Sequence, residues 1–161
     1  DAHCGLGDKI DQHYLRQAAG PYDPRGMRSI VSNLIRQKWF NVKKVDKKGT
    51  QYLPMEKCGA HRDTYERYFV DEKDQIQQIL DLMKGWLTQD CEIVATLYSA
   101  WADALAIGTE PSDAYLVNEV LTNWHDSKLK IPKDKWYAKL AWMKEVGLYP
   151  GGGFGKGGVP A

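Results

Sequence analysis

Between Thr88 and Val146 apolar residues recur in steps of three and four through three successive blocks, each closed by a glycine or a proline-bearing connection. Ile93, Val94, Leu97, Tyr98, Trp101 and Leu105 precede Gly108; Leu116, Val117, Val120, Leu121 and Trp124 precede the connection His125–Pro132; Trp136, Leu140, Met143 and Val146 close on Gly147. That spacing puts one apolar stripe on each of three helices and commits the chain to helix-on-helix packing. Thr88 or Asp90 can cap the first helix, and Ser112 or Asp113 the second. Pro132 or Lys133 opens the third, while Gly108 and Gly147 suit the left-handed residue that stops a helix.

Upstream, Asp23 is a natural N-cap, with Pro24 at the first helical position, where its missing N–H costs little. Met27, Ile30, Val31, Leu34 and Ile35 follow on one face of a predicted helix that runs to Trp39. Phe40–Val45 and Gln51–Leu53, around a turn containing Gly49, read as a hairpin, with Pro54 ending it or sitting on an edge. Cys58 to Phe69 reads as a loop and short helix, and Asp71 to Trp86 as a helix with Ile76, Ile79, Leu80 and Met83 inward. In residues 1–22, Ile10, Tyr14 and Leu15 stand at helical spacing before Gly20-Pro21 breaks the pattern.

The predicted class is mainly α with a small β-hairpin, in winged-helix-like helical units. A helix followed by a basic hairpin makes the first such unit, and three helices with an extended Leu148–Pro150 make the second. Three-helix packing without nucleic acid fits the second equally well. The expected division is a helix-plus-hairpin part over 1–70, a helical part over 71–150, and a mobile glycine-rich end over 151–161. The join lacks a Gly/Ser linker, so one shared core is the alternative.

The 161 residues suit one domain or two small ones, able to bury a core without disulfides or metals. Six Trp and nine Tyr supply much apolar area, used first for packing and second for interfaces. Tyr98, Trp101, Tyr115 and Trp124 are the candidate protein-interface residues. Cys4, Cys58 and Cys91 are odd in number and irregularly spaced, which points to a reducing, cytoplasmic setting. There is no basic-then-apolar leader and no apolar run near the length of a membrane span. The chain begins at Asp1, and the expectation is that an upstream portion has been removed.

A net charge of +1 argues against coating nucleic acid or membrane by bulk charge, but it conceals a pattern. Arg25, Arg28, Arg36, Lys38, Lys43, Lys44, Lys47 and Lys48 face one acid, Asp46, in their segment. Such a local excess is the footprint of phosphate neutralisation, so these eight are the candidate DNA-backbone contacts. The competing reading is a solvated surface, with lysines protecting a sheet edge. Trp86–Trp124 holds no Lys or Arg but carries Asp90, Glu92, Asp103, Glu110, Asp113 and Glu119. It could bind the basic stretch within or between molecules. The chain turns basic again with Lys128, Lys130, Lys133, Lys135, Lys139 and Lys144.

Catalytic signatures are weak. Cys58-Gly-Ala-His61 has a metal-friendly spacing, with His3-Cys4 as remote partners, but zinc needs four converging ligands. His125-Asp126-Ser127 contains triad residue types, yet sequence neighbours do not converge as a triad does. His125 instead suits a helix C-terminus. Gly153–Lys156 lacks the spacing, the following Ser/Thr and the helix of a phosphate loop. Asp71-Glu72 stands where a helix dipole explains it. No catalytic, cofactor-binding or metal-binding residue is assigned.

Three stretches, YLRQAAGPYDPRGMRSI with QKWF (14–30 and 37–40), CEIVATLYSAWADALAIG (91–108) and NWHDSKLKIPKDKWYAKLAWMKEVGLYPGGGFGK (123–156), resemble a C-terminal region of type I restriction–modification specificity subunits. The first, with AAGPYD, also loosely resembles the Panacea-type antitoxin domain. The resemblance covers nearly the whole chain to Lys156. It implies a bacterial or archaeal phage-defence setting, with methyltransferase and restriction subunits as partners and DNA as the shared substrate. The target recognition domains of that family have no counterpart here, so it transfers no base-reading and no catalytic residue. The end after Tyr149 is richer in glycine than the family pattern.

The expected function is therefore a non-catalytic accessory domain for subunit assembly, non-specific DNA backbone contact, or both, with homodimerisation a further expectation. An antitoxin-like regulatory protein-binding module is the alternative, and a metal-dependent nuclease using Cys58 and His61 or scattered carboxylates is the third.

Overall fold

The computed structural model describes residues 15–18, 20–45 and 49–154. In chain order these form β1 (Leu15–Gln17), β2 (Gly20–Tyr22), α1 (Pro24–Arg36), β3 (Phe40–Val45), β4 (Gly49–Pro54), α2 (Arg62–Tyr68), α3 (Lys73–Met83), α4 (Thr88–Ala106), α5 (Asp113–Asn123), a 3-10 turn (Asp126–Lys130) and α6 (Lys133–Glu145). The main class is as the periodicity predicts, helical with small antiparallel hairpins. The chain divides into two units, one from Asp1–Tyr22 with Asp74–Ala161, the other Asp23–Lys73.

The core of the first unit lies among α4, α5 and α6. Leu97, Leu116, Val117, Val120, Trp136, Leu140 and Met143 are fully buried there, with Ile93, Val94 and Trp101 beside them. These are the residues that the three-and-four spacing selects. Ser112 caps α5 by accepting from the Tyr115 N–H at 3.2 Å. Leu87 stands at the N-cap of α4, and the Asp90 carboxylate accepts its N–H at 3.2 Å. Gly108 and Gly147 close α4 and α6 in the left-handed region, φ 76° and 73°. In each case the next N–H reaches back to a carbonyl in the last turn, Thr109 to Ala104 at 2.9 Å and Leu148 to Met143 at 2.8 Å.

Several expectations change. Leu15, expected at helical spacing, lies in β1, paired across the hairpin with Tyr22. Ile10 and Tyr14 lie outside the described residues. β2 packs on α4, so this hairpin belongs with the C-terminal helices rather than with a part ending at residue 70. α3 is shorter than predicted, and its Leu80 and Met83 are exposed rather than inward. Leu148–Pro150 forms turns rather than an extended piece. The Phe154 N–H then donates to the Gly147 carbonyl at 3.2 Å, so the glycine-rich end is folded back as far as Phe154.

In the second unit Asp23 accepts from the N–H groups of Arg25 and Gly26, both at 3.0 Å, with Pro24 at the start of α1. α1 ends without glycine. Lys38 takes the left-handed conformation, φ 62°, so that the Trp39 N–H reaches the Leu34 carbonyl at 3.0 Å. β3 and β4 pair antiparallel, Phe40 opposite Pro54 through Val45 opposite Gly49. The turn Asp46–Lys48 lies outside the described residues. No described side chain of Asp23–Lys73 is fully buried. The face of α1 read as inward leaves Met27, Ile30 and Ile35 exposed, with only Val31 and Leu34 half-buried.

Candidate functional site

The two units carry opposite charge. Asp23–Lys73 has twelve Lys and Arg against seven Asp and Glu, and the rest of the chain has ten against fourteen.

Five of the six acids between Trp86 and Trp124 are paired with cations from outside that stretch. Arg16 of β1 lies 2.9 Å from both Asp103 of α4 and Glu119 of α5, its guanidinium 5.1 Å from the Trp124 ring centre. Burial works against the charge on Arg16, but hydrogen bonds to Asp103 and Glu119 outweigh it and raise its pKa. Lys128 is fully buried, 2.7 Å from Glu92 and 2.9 Å from the Ala18 carbonyl. Lys139 lies 2.9 Å from Asp90, with the Trp86 and Trp142 rings at 5.6 and 5.1 Å. That hydrogen bond, helped by the Leu87 N–H, lowers the pKa of Asp90. Lys144 pairs with Asp113 and faces the Trp101 ring. Among the described residues Glu110 has no ion pair. Apart from Glu110, the acids of this stretch are paired inside their own unit, and Lys128 is an internal strut rather than a surface charge.

The expected interface aromatics separate. Trp101 and Trp124 belong to the core and cannot form a surface. Trp101 stacks on Tyr149 with ring centres 4.9 Å apart. Tyr98 is half-buried against the same core, and Tyr115 is exposed.

The basic stretch is arranged differently. Arg28 donates to the Pro24 carbonyl at 2.9 Å, and Arg36 to the Asn33 side chain at 2.6 Å, neither partner carrying charge. Lys38 reaches Glu56 at 3.1 Å with both side chains mostly in solvent, so this pair contributes little. Arg25, Lys43 and Lys44 are exposed and have no ion pair among the described residues. Lys47 and Lys48 lie outside them. The strand alternation places Lys43 beside Asn41 and Val45 on one face of the hairpin. Lys44 falls on the other face with Phe40, Val42 and, by register, Thr50, Tyr52 and Pro54. The basic residues thus flank a two-stranded ribbon rather than form a single stripe. Tyr52, absent from the expected site, is 54% exposed and meets Phe40 edge-on at 5.0 Å. Its place in a strand beside a Lys-Lys pair was the available signal.

Cys58 and His61 are exposed, and the His61 ring sits near Trp39 rather than in a ligand cluster. No group of three or more His, Cys, Asp and Glu side chains suited to a metal occurs among the described residues. His3 and Cys4 lie outside them. His125 caps the 3-10 turn, Nδ1 accepting from the Ser127 N–H at 3.1 Å, while the Ser127 hydroxyl donates to the Ala18 carbonyl at 2.9 Å. His125 and Ser127 thus hold the 3-10 turn and the β1–β2 hairpin, and His125 directly follows the C-cap residue Trp124 of α5, as expected of a helix C-terminal residue. No helix is long and apolar enough to cross a membrane among the described residues. Comparison with protein-family models, curated proteins and solved structures finds no match.

Proposed function

We propose that this chain is a non-catalytic accessory module whose Asp23–Lys73 unit contacts a nucleic-acid backbone, and whose other unit is built around α4, α5 and α6. One observation carries the reading: five of the six acids of Trp86–Trp124 are paired with Arg16, Lys128, Lys139 and Lys144, while Arg25, Lys43 and Lys44 face solvent without an ion pair among the described residues. Solvent-facing cations with no ion pair among the described residues suit phosphates, and releasing the phosphates' counterions supplies the affinity. The succession of α1, β3 and β4 supports a helix-and-wing form of contact. In the setting implied by the specificity-subunit resemblance, the contact would be sequence-independent and would accompany assembly with methyltransferase and restriction subunits.

Fluorescence anisotropy with a short DNA duplex tests this. Raising salt from about 50 to 200 mM should weaken binding by tenfold or more if several phosphates are neutralised. No binding at the lower salt would remove the reading.

The exposed Met27, Ile30 and Ile35 on α1 support a second, protein-binding reading, antitoxin-like or assembly-directed. A chain that ignores duplex DNA, yet elutes with a methyltransferase subunit as wild type and not as Ile30→Asp, would favour it.

A further inference from the structure

Within the basic Asp23–Lys73 unit, and resting on its contact with nucleic acid, we propose that the face of the β3–β4 hairpin bearing Tyr52 and Lys44 is a stacking platform for single-stranded nucleic acid.

Tyr52 is opposite Val42 in the hairpin, and Lys44 is opposite Thr50, so Lys44 and Tyr52 are diagonal neighbours on one face. Diagonal Cβ atoms stand about 7–8 Å apart, within reach of a lysine side chain. Phe40 holds the Tyr52 ring from the side, with an interplanar angle of 80°. The ring nevertheless remains 54% exposed. A fixed, half-open aromatic ring next to an ammonium with no ion pair among the described residues offers the two things an unpaired nucleotide needs. The ring stacks on the base, and the ammonium meets the adjoining phosphate. A duplex uses only the second, because its base faces are covered by their neighbours in the stack. Charge complementarity points the same way: the unit is basic overall, so an acidic strand is favoured over an apolar peptide.

Two labelled probes of equal length, oligo-dT and a duplex, should be titrated against the full chain by anisotropy, with Tyr52→Val, Tyr52→Phe and Tyr52→Trp variants. Val keeps the strand preference while removing the ring. Tyr52→Val should weaken oligo-dT binding about tenfold and change duplex binding less than about twofold, with Phe near wild type and Trp tighter. If Tyr52→Val does not fold, the comparison of Trp with wild type decides, since an unchanged affinity for oligo-dT contradicts stacking. Equal losses on both probes, or none on oligo-dT, overturn the platform while leaving backbone contact intact. Binding of neither probe by wild type overturns both readings.

Discussion

Lys128 and Glu92 form an ion pair of 2.7 Å in which the lysine side chain is wholly buried, and the same ammonium donates to the Ala18 carbonyl at 2.9 Å. A single cation thereby ties the 3-10 turn to α4 and to the β1–β2 hairpin. Removing it leaves a largely enclosed carboxylate without its cation, while the Ala18 carbonyl keeps only the Ser127 hydroxyl as donor.

Lys128→Ala should therefore cost about 3 kcal/mol, toward the lower end for a broken buried pair, because Glu92 retains some access to water. Replacing both partners, as Lys128→Met with Glu92→Leu, should recover much of the loss, since no orphaned charge then remains. Urea denaturation of the single and double variants reads this directly. A loss under about 1 kcal/mol for Lys128→Ala would show the pair to be dispensable.

Asp90 gives a pH dependence of known sign. Its pKa in the folded chain is lowered, by the hydrogen bond from Lys139 first and the Leu87 N–H second. A lowered folded pKa means stability that is fully present above the unfolded value of about 3.9 and is lost as pH falls through the folded one. Asp90→Asn should lower stability at neutral pH and flatten the acid limb of the stability curve. Parallel curves for wild type and variant from pH 6 to about pH 2 would contradict that assignment.

Lys38 is the one non-glycine residue at positive φ among those described, and it closes α1 where glycine usually does. Lys38→Gly should stabilise the helix–hairpin unit by about 0.5–1 kcal/mol, since relief of left-handed strain exceeds the loss of an exposed pair to Glu56. Lys38→Ala keeps the strain and should give no gain. Hydrogen exchange of the α1 and β3 amides separates the two.

What could be read in the sequence was what neighbours along the chain decide. Asp23 and Pro24 start α1, Ser112 caps α5, and Gly108 and Gly147 stop their helices, because each acts within one turn of itself. The core of α4, α5 and α6 was legible for a related reason: helical periodicity selects a face regardless of what packs on it. Periodicity misled where no described residue covers the face. Met27, Ile30, Leu80 and Met83 have the right spacing and remain exposed. The fate of charges could not be read, since it depends on distant contacts. Lys128 meets Glu92 from 36 positions away, and Arg16 meets Glu119 from 103. Trp101 and Trp124 looked like interface aromatics until tertiary packing placed them inside. Leu15 became a strand residue because β1–β2 lies against α4, a support that local propensity does not encode.

Cations of the helix–hairpin unit with no ion pair among the described residues are proposed to meet a polyanion. The most direct test compares duplex-DNA anisotropy at about 50 mM salt for wild type, for Lys43→Glu/Lys44→Glu/Lys47→Glu/Lys48→Glu, and for a control, Lys130→Glu/Lys133→Glu, in the other unit. The hairpin variant should bind more than about tenfold more weakly, and the control should change within about threefold. Equal loss in both variants, or wild-type binding by the hairpin variant, would contradict that proposal.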